Sequence, residues 1–231
     1  MGFFSGIASA VGSFIGGVAS KIGSSIGGFA KGAFGLLSKI PIPGMGLFSK
    51  ISAVANVISS VLGFLGVKSE KDPEILGAKA DQCDKKLKDF DNDVEAYIKH
   101  LVENVKLDKE KYEKLSENDK LACKTVGMSL EVKAIEQKIG GILISPECMG
   151  VLLKLQAAGI KIDPKTIVEV VKALKEQGII NMNDVAEYLL GKGESDRMKT
   201  GVALANALGS DANNLLNKLQ DAARKYEGGV Q

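Results

Sequence analysis

Histidine and arginine are nearly absent from this chain, with one His (His100) and two Arg (Arg197, Arg224) in 231 residues. A single imidazole leaves no room for a His-based metal cluster. No nucleophile elbow, paired-carboxylate frame or zinc spacing appears elsewhere. No catalytic residue, metal ligand or cofactor is therefore assigned, and the chain is expected not to be an enzyme. The lysines are interleaved with acids instead of gathered on one face, which argues against sequence-specific nucleic-acid binding. The three cysteines (Cys83, Cys123, Cys148) are odd in number and lack a C-x-x-C pair, so they read as reduced, buried thiols. Acid is missing altogether from residues 1–67, which hold four Lys (Lys21, Lys31, Lys39, Lys50), 14 of the 27 Gly and seven of the eight Phe. The other 164 residues carry a net charge of −2. Two physical regimes are joined end to end.

The apolar start does not read as an export signal. Its first cation, Lys21, lies well inside the apolar stretch, and charge should precede such a run. Nor does it fit myristoylation, because Gly6 stands where Ser or Thr belongs. Synthesis in the cytoplasm without a secretory signal is the expectation.

An eleven-residue repeat runs through this region. Residues 12–22 read GSFIGGVASKI, residues 23–33 read GSSIGGFAKGA, and residues 1–11, MGFFSGIASAV, fit the same frame. Its apolar rows are Phe4, Ile15, Ile26 and Leu37; Ile7, Val18, Phe29 and Ile40; and Val11 and Ile22, with Ala33 as a weaker member. Eleven residues in three turns is about 3.67 per turn, so the rows fall in one sector of a long helix. The opposite face is Gly, Ser and Lys. Ten Gly lie in residues 1–35, and each costs about 1 kcal/mol against Ala in a helix interior. Such a helix is expected to need a lipid surface or neighbouring chains to bury its stripe. Gly12/Gly16, Gly23/Gly27 and Gly28/Gly32 have the small-xxx-small spacing that lets a neighbour approach closely.

Pro41, Pro43 and Gly44 then break the helix and read as a hinge. A second apolar helix is expected over 47–67, with the stripe Ile51, Val54, Ile58, Val61 and Leu65. Residues 51–67 are uncharged, 17 in all, near the lower limit of roughly 17–25 for a membrane span. An apolar hairpin packed into a soluble core is the competing reading. The rest of the chain does not look apolar enough to cover both stripes.

The fold class expected is all-α, in four segments: an apolar helical hairpin (1–67), a polar linker (68–73), charged amphipathic helices (74–144) and a compact bundle of about five helices (145–231). Within 74–107 one long helix is predicted, with Ala80, Cys83, Leu87, Phe90, Val94, Tyr97 and Leu101 as its seam. Ser116 to Asp119 reads as a capping box, and a further helix over 130–138 is expected to stop at Gly140-Gly141. Asp84, Asp89, Asp91 and Asp93 lack the calcium-loop offsets and read as a solvated face. Ser145-Pro146 and Asp163-Pro164 mark helix starts, while Gly159, Gly178, Gly191 and Gly209 mark stops. Gly191 to Glu194 lacks phosphate-loop spacing and reads as a turn.

The run MGFFSGIASAVGSFIGGVASKIGSSIGG resembles the Gly-rich hydrophobic starts of bacteriophage DNA-pilot and ejection proteins. Those are virion components that enter the host envelope and form a helical conduit for the genome. The resemblance covers residues 1–67 and is compositional. It implies a non-enzymatic, membrane-active oligomer that belongs to a virion and then to the host envelope. Its expected partners are a lipid bilayer and either copies of itself or other subunits of a virion or secretion machine. The same features fit a pore-forming toxin or effector exported to a target membrane by a bacterial injection machine. Colicin-like pore domains share the apolar helical hairpin, buried in a larger bundle. A structural assembly protein whose apolar start packs on other subunits is the third reading.

Overall fold

The structure is a computed structural model that describes residues 2–161, 163–192, 197–209 and 212–225. Side-chain surroundings are described for these residues except 2–5, 197 and 215. The fold is all-α. Among the described residues there are twelve α-helices, one 3-10 turn and no strand. The helices are α1 (Gly2–Ile22), α2 (Ser24–Lys39), α3 (Leu47–Phe64), α4 (Pro73–Gln82), α5 (Val94–Asn104), α6 (Lys109–Glu113), α7 (Glu117–Lys138), α8 (Pro146–Ala157), α9 (Pro164–Glu176), α10 (Asn183–Leu190), α11 (Arg197–Leu208) and α12 (Ala212–Arg224).

The chain divides into two compact units, residues 1–35 with 58–137, and residues 36–57 with 138–231. These boundaries differ from the composition boundaries at 67 and 144. The acid-free region contributes to both units, so it is not a segment apart. Helices α2 and α3 each give one end to either unit.

In the first unit the long repeat helix is interrupted. Gly23 takes φ +88°, a left-handed conformation that ends α1. Ala19 and Gly27 would lie about 12 Å apart along a continuous helix. Instead the Ala19 Cβ is 2.5 Å from where a Cβ on Gly27 would stand. Lys31 Nζ lies 3.6 Å from the corresponding point on Gly16. The chain thus turns back at Gly23, and the eleven-residue frame is carried by two helices.

The long helix predicted over 74–107 is also divided. Helix α4 ends at Gln82, a 3-10 turn spans Leu87–Phe90, and α5 begins after Asp93. Asp and Asn cause the breaks, because their short polar side chains bond locally to the backbone. Asp93 accepts from Ala96 N at 3.0 Å, Asp89 accepts from Lys86 N at 2.8 Å, and Asp91 and Asn92 both have positive φ. The seam nevertheless turns inward: all its members are buried except Phe90, which is half-buried against Tyr97 and His100. Lys79 caps α5 by donating to Leu101 O and Val102 O, at 3.1 and 3.2 Å.

The expected capping box is present. Ser116 Oγ accepts from Asp119 N at 3.1 Å, and Asp119 accepts from Ser116 N at 3.3 Å. From there α7 runs unbroken to Lys138, which merges two predicted helices into one. It ends before Gly140 and Gly141, both at positive φ. Nor is 68–73 a free linker. Ser69 bonds Glu131, Glu70 pairs with Lys79 at 2.6 Å, and Asp72 caps α4 and pairs with Lys124 at 3.3 Å.

In the second unit, α8 to α12 form the expected five-helix bundle. Asp163 caps α9 by accepting from Thr166 N at 3.0 Å. Gly159, Gly178, Gly191 and Gly209 follow helices in left-handed conformations. Val168, Val171 and Leu174 form the buried face of α9, with Ile167 and Val170 half-buried. On α12, Leu216, Leu219 and Ala222 are buried. The expected contributions of Leu215 and Tyr226, and the Gly193-Glu194 half of the predicted turn, lie outside what is described. Gly150 of α8 receives the last turn of α2: a Cβ there would stand 2.6 Å from Leu36 Cδ2 and 3.1 Å from Ile40 Cδ1. After Lys39 the Pro41–Gly44 segment breaks the chain as expected, with Gly44 at φ +77°.

Candidate functional site

The residues singled out as a membrane or assembly stripe are for the most part covered by the chain itself. Val11, Ile15, Val18, Ile22, Ile26, Phe29, Leu37, Ile51, Val54, Ile58 and Val61 are buried. Ile7, Ile40 and Leu65 are half-buried, and the Phe4 side chain lies outside the described residues. The expectation that only lipid or another chain could cover these stripes is corrected here. The cover comes in part from α7, whose residues from Leu121 to Ile135 are buried on almost every side. A helix of this kind can be central only if its polar groups are satisfied. Thr125 and Ser129 bond back to Leu121 O and Thr125 O, at 2.8 and 2.7 Å. Lys124 pairs with Asp72 and, at 3.7 Å, with Glu74, whose carboxylate also accepts from Tyr112 Oη. Glu136 pairs with Lys133 at 2.6 Å, and the Lys133 ammonium lies over the Phe29 ring.

The close-packing glycines are different ones from those the spacing suggested. Of Gly12, Gly16, Gly23, Gly27, Gly28 and Gly32, only Gly27 marks a tight approach, to Ala19 of the same chain. Gly12, Gly23 and Gly28 face open space, and Gly32 is exposed. The tight crossing is between α4 and α7. A Cβ on Gly77 would stand 1.9 Å from Cys123 O, and one on Gly127 would stand 1.8 Å from Pro73 O. An isolated Gly within an otherwise apolar helical run was the available signal, since such a residue has a packing reason more often than a conformational one.

Among the described residues one helix, α3, is long and apolar enough to cross a membrane, with mean hydropathy 1.5 over Leu47–Phe64. Its second half belongs to the first unit, where its polar attachment is Glu131 of α7. Glu131 is wholly buried, at 0% exposure. Its two carboxyl oxygens accept one hydroxyl each: Ser59 Oγ of α3 at 2.7 Å and Ser69 Oγ at 2.8 Å. Burial pushes the carboxyl up to about 7; the two hydroxyls act in the opposite direction and the negative Asp72 adds to the rise. Sequence reasoning missed all three residues. The signal was an acid on an apolar face, one turn from Gly127, Met128 and Ile135.

The three cysteines are free and buried. Burial raises the thiols of Cys123 and Cys148, the latter to about 11, so neither is a ready nucleophile. Among the described residues no group of three His, Cys, Asp or Glu could hold a metal ion. Compared with protein families, curated proteins and solved structures, the chain matches none.

Proposed function

We propose that the protein is a non-enzymatic, membrane-active protein that carries its apolar amino-terminal helices in stored form and delivers them to a lipid bilayer. One observation carries this reading. The 18-residue helix α3, apolar and free of acid, is held inside the fold through a buried carboxyl instead of by apolar contact alone. A helix that serves only as core gains nothing from that attachment, because a buried acid costs free energy. The acid-free composition of residues 1–67 supports the same reading, since its four cations suit an anionic surface. The setting proposed is a virion component for envelope penetration and genome ejection that works as an oligomer, on the resemblance of the amino-terminal run. A pore-forming effector is the second reading. The burial of the stripe within one chain favours it, because a sheathed form can cross water as a monomer.

The test uses the full chain, since residues 1–67 belong to both units and their removal would unfold them. A cysteine at Gly63, exposed and with open space for a Cβ, carries an environment-sensitive fluorophore. Vesicles with anionic lipid are expected to shift its emission to the blue and to leak an enclosed dye. Unchanged emission with intact vesicles between pH 5.5 and 8.5 would refute the proposal.

A further inference from the structure

Glu131 is a buried acid with hydroxyl partners alone. The cations nearest in the fold are engaged elsewhere. Lys124 pairs with Asp72 and Glu74, Lys79 pairs with Glu70, Lys133 pairs with Glu136 and covers Phe29, and Lys31 of α2 lies against Gly16. The part of α3 in this unit, residues 58–64, has no charged side chain. The segment that follows brings two acids close in sequence to Ser69, Glu70 and Asp72. Nothing there can neutralise an ionised Glu131, and Asp72 opposes it.

We propose that Glu131 is a proton-operated latch on α3: protonated, it holds Ser59 and Ser69 and keeps the helix stored, and ionised, it loosens both. This names the regulation of the insertion step proposed above, and it rests on that reading for its purpose but not for its chemistry. The direction follows from the chemistry of burial. The folded carboxyl titrates near 7 against 4.5 for the free group. Its contribution to holding α3 is complete below the lower value and is lost as pH rises through the upper one. Storage is favoured in acid, and release at neutral to mildly alkaline pH. Between pH 5.5 and 8.5 the opening equilibrium should rise roughly 30-fold.

Hydrogen exchange on the full chain, corrected for intrinsic rates, reads this directly. The peptide 58–69 is compared with one from α9 at pH 5.5, 7.0 and 8.5. Wild type is expected to show the 30-fold rise in 58–69 and none in α9, and Glu131→Gln is expected to be flat. A flat wild-type profile, or an equal rise in Glu131→Gln, overturns the latch. Should Glu131→Gln fail to fold, Ser59→Ala serves instead. Loss of a donor to the carboxylate must move the midpoint to higher pH, and an unmoved midpoint overturns the proposal. Dye leakage from anionic vesicles is measured on the same samples. Leakage with flat exchange overturns the latch and leaves the insertion reading standing. The exchange profile without leakage at any pH supports the latch and removes the insertion reading.

Discussion

Gly127→Ala adds one methyl group to a helix, and at most helical positions that change stabilises by about 1 kcal/mol. Here it should do the reverse. The new Cβ would stand 1.8 Å from Pro73 O, a backbone atom that cannot rotate away. An ordinary carbon–oxygen contact is about 3.3 Å or longer, so α4 and α7 must separate by about 1.5 Å. A gap of 0.5–1 Å already forfeits roughly a quarter to a half of each dispersion contact. The contacts at risk involve Leu76, Ala80, Cys123, Val126 and Leu130, all buried. Overpacking of this kind costs about 1–3 kcal/mol and at times more. Rigid backbone puts Gly127→Ala at the upper end, about 2–4 kcal/mol net of the helix-propensity gain. Gly77→Ala meets Cys123 O at 1.9 Å and should cost a similar amount. The double variant should cost clearly less than the sum, because one separation of the two helices makes room for both methyl groups. Urea unfolding followed by circular dichroism would measure this on the transition of the first unit. If Gly127→Ala lies within about 0.5 kcal/mol of wild type, or if the two costs add fully, the close-crossing argument fails.

Gly17→Ala and Gly28→Ala, which meet open space, should each stabilise by about 0.5–1 kcal/mol in the same assay. Gly23→Ala has equal room but must hold φ +88°, so it should cost about 1 kcal/mol or more. Thr200 Oγ1 is buried without a hydrogen-bond partner; Thr200→Val should raise stability by about 1 kcal/mol, read as a higher melting temperature of the second unit. From pH 5 to pH 8 the first unit should lose up to about 3 kcal/mol of stability through Glu131, whose carboxyl moves from 4.5 to about 7 on folding, and Glu131→Gln should remove that slope. A slope that survives in Glu131→Gln would assign the dependence to other groups.

Features that depend on a few neighbouring residues were legible in the sequence. The cap-plus-Pro starts at Ser145 and Asp163, the glycine stops after α8 to α12, the box at Ser116–Asp119 and the break at Pro41–Gly44 are local, and the all-α class follows from them. The inward seam from Ala80 to Leu101 was legible too, because periodicity reports which face is apolar. It does not report continuity, so the breaks around Asp89 to Asp93 were lost: a helical seam and three helical pieces in register bury the same residues. Periodicity also identified the stripe from Val11 to Val61 without saying what covers it. That cover was decided by α7, and α7 can be central only because Gly77 and Gly127 let α4 approach and because Ser59 and Ser69, distant in sequence, reach Glu131. An acid on a helix has one meaning in water and another when two hydroxyls from another element surround it. The sequence by itself determined the local elements and their apolar faces, since capping, turn chemistry and helical period act over a few residues. Which faces meet, which glycines are crowded and which carboxyl is buried were decided by the tertiary structure alone, since those depend on residues brought together from up to 72 positions apart.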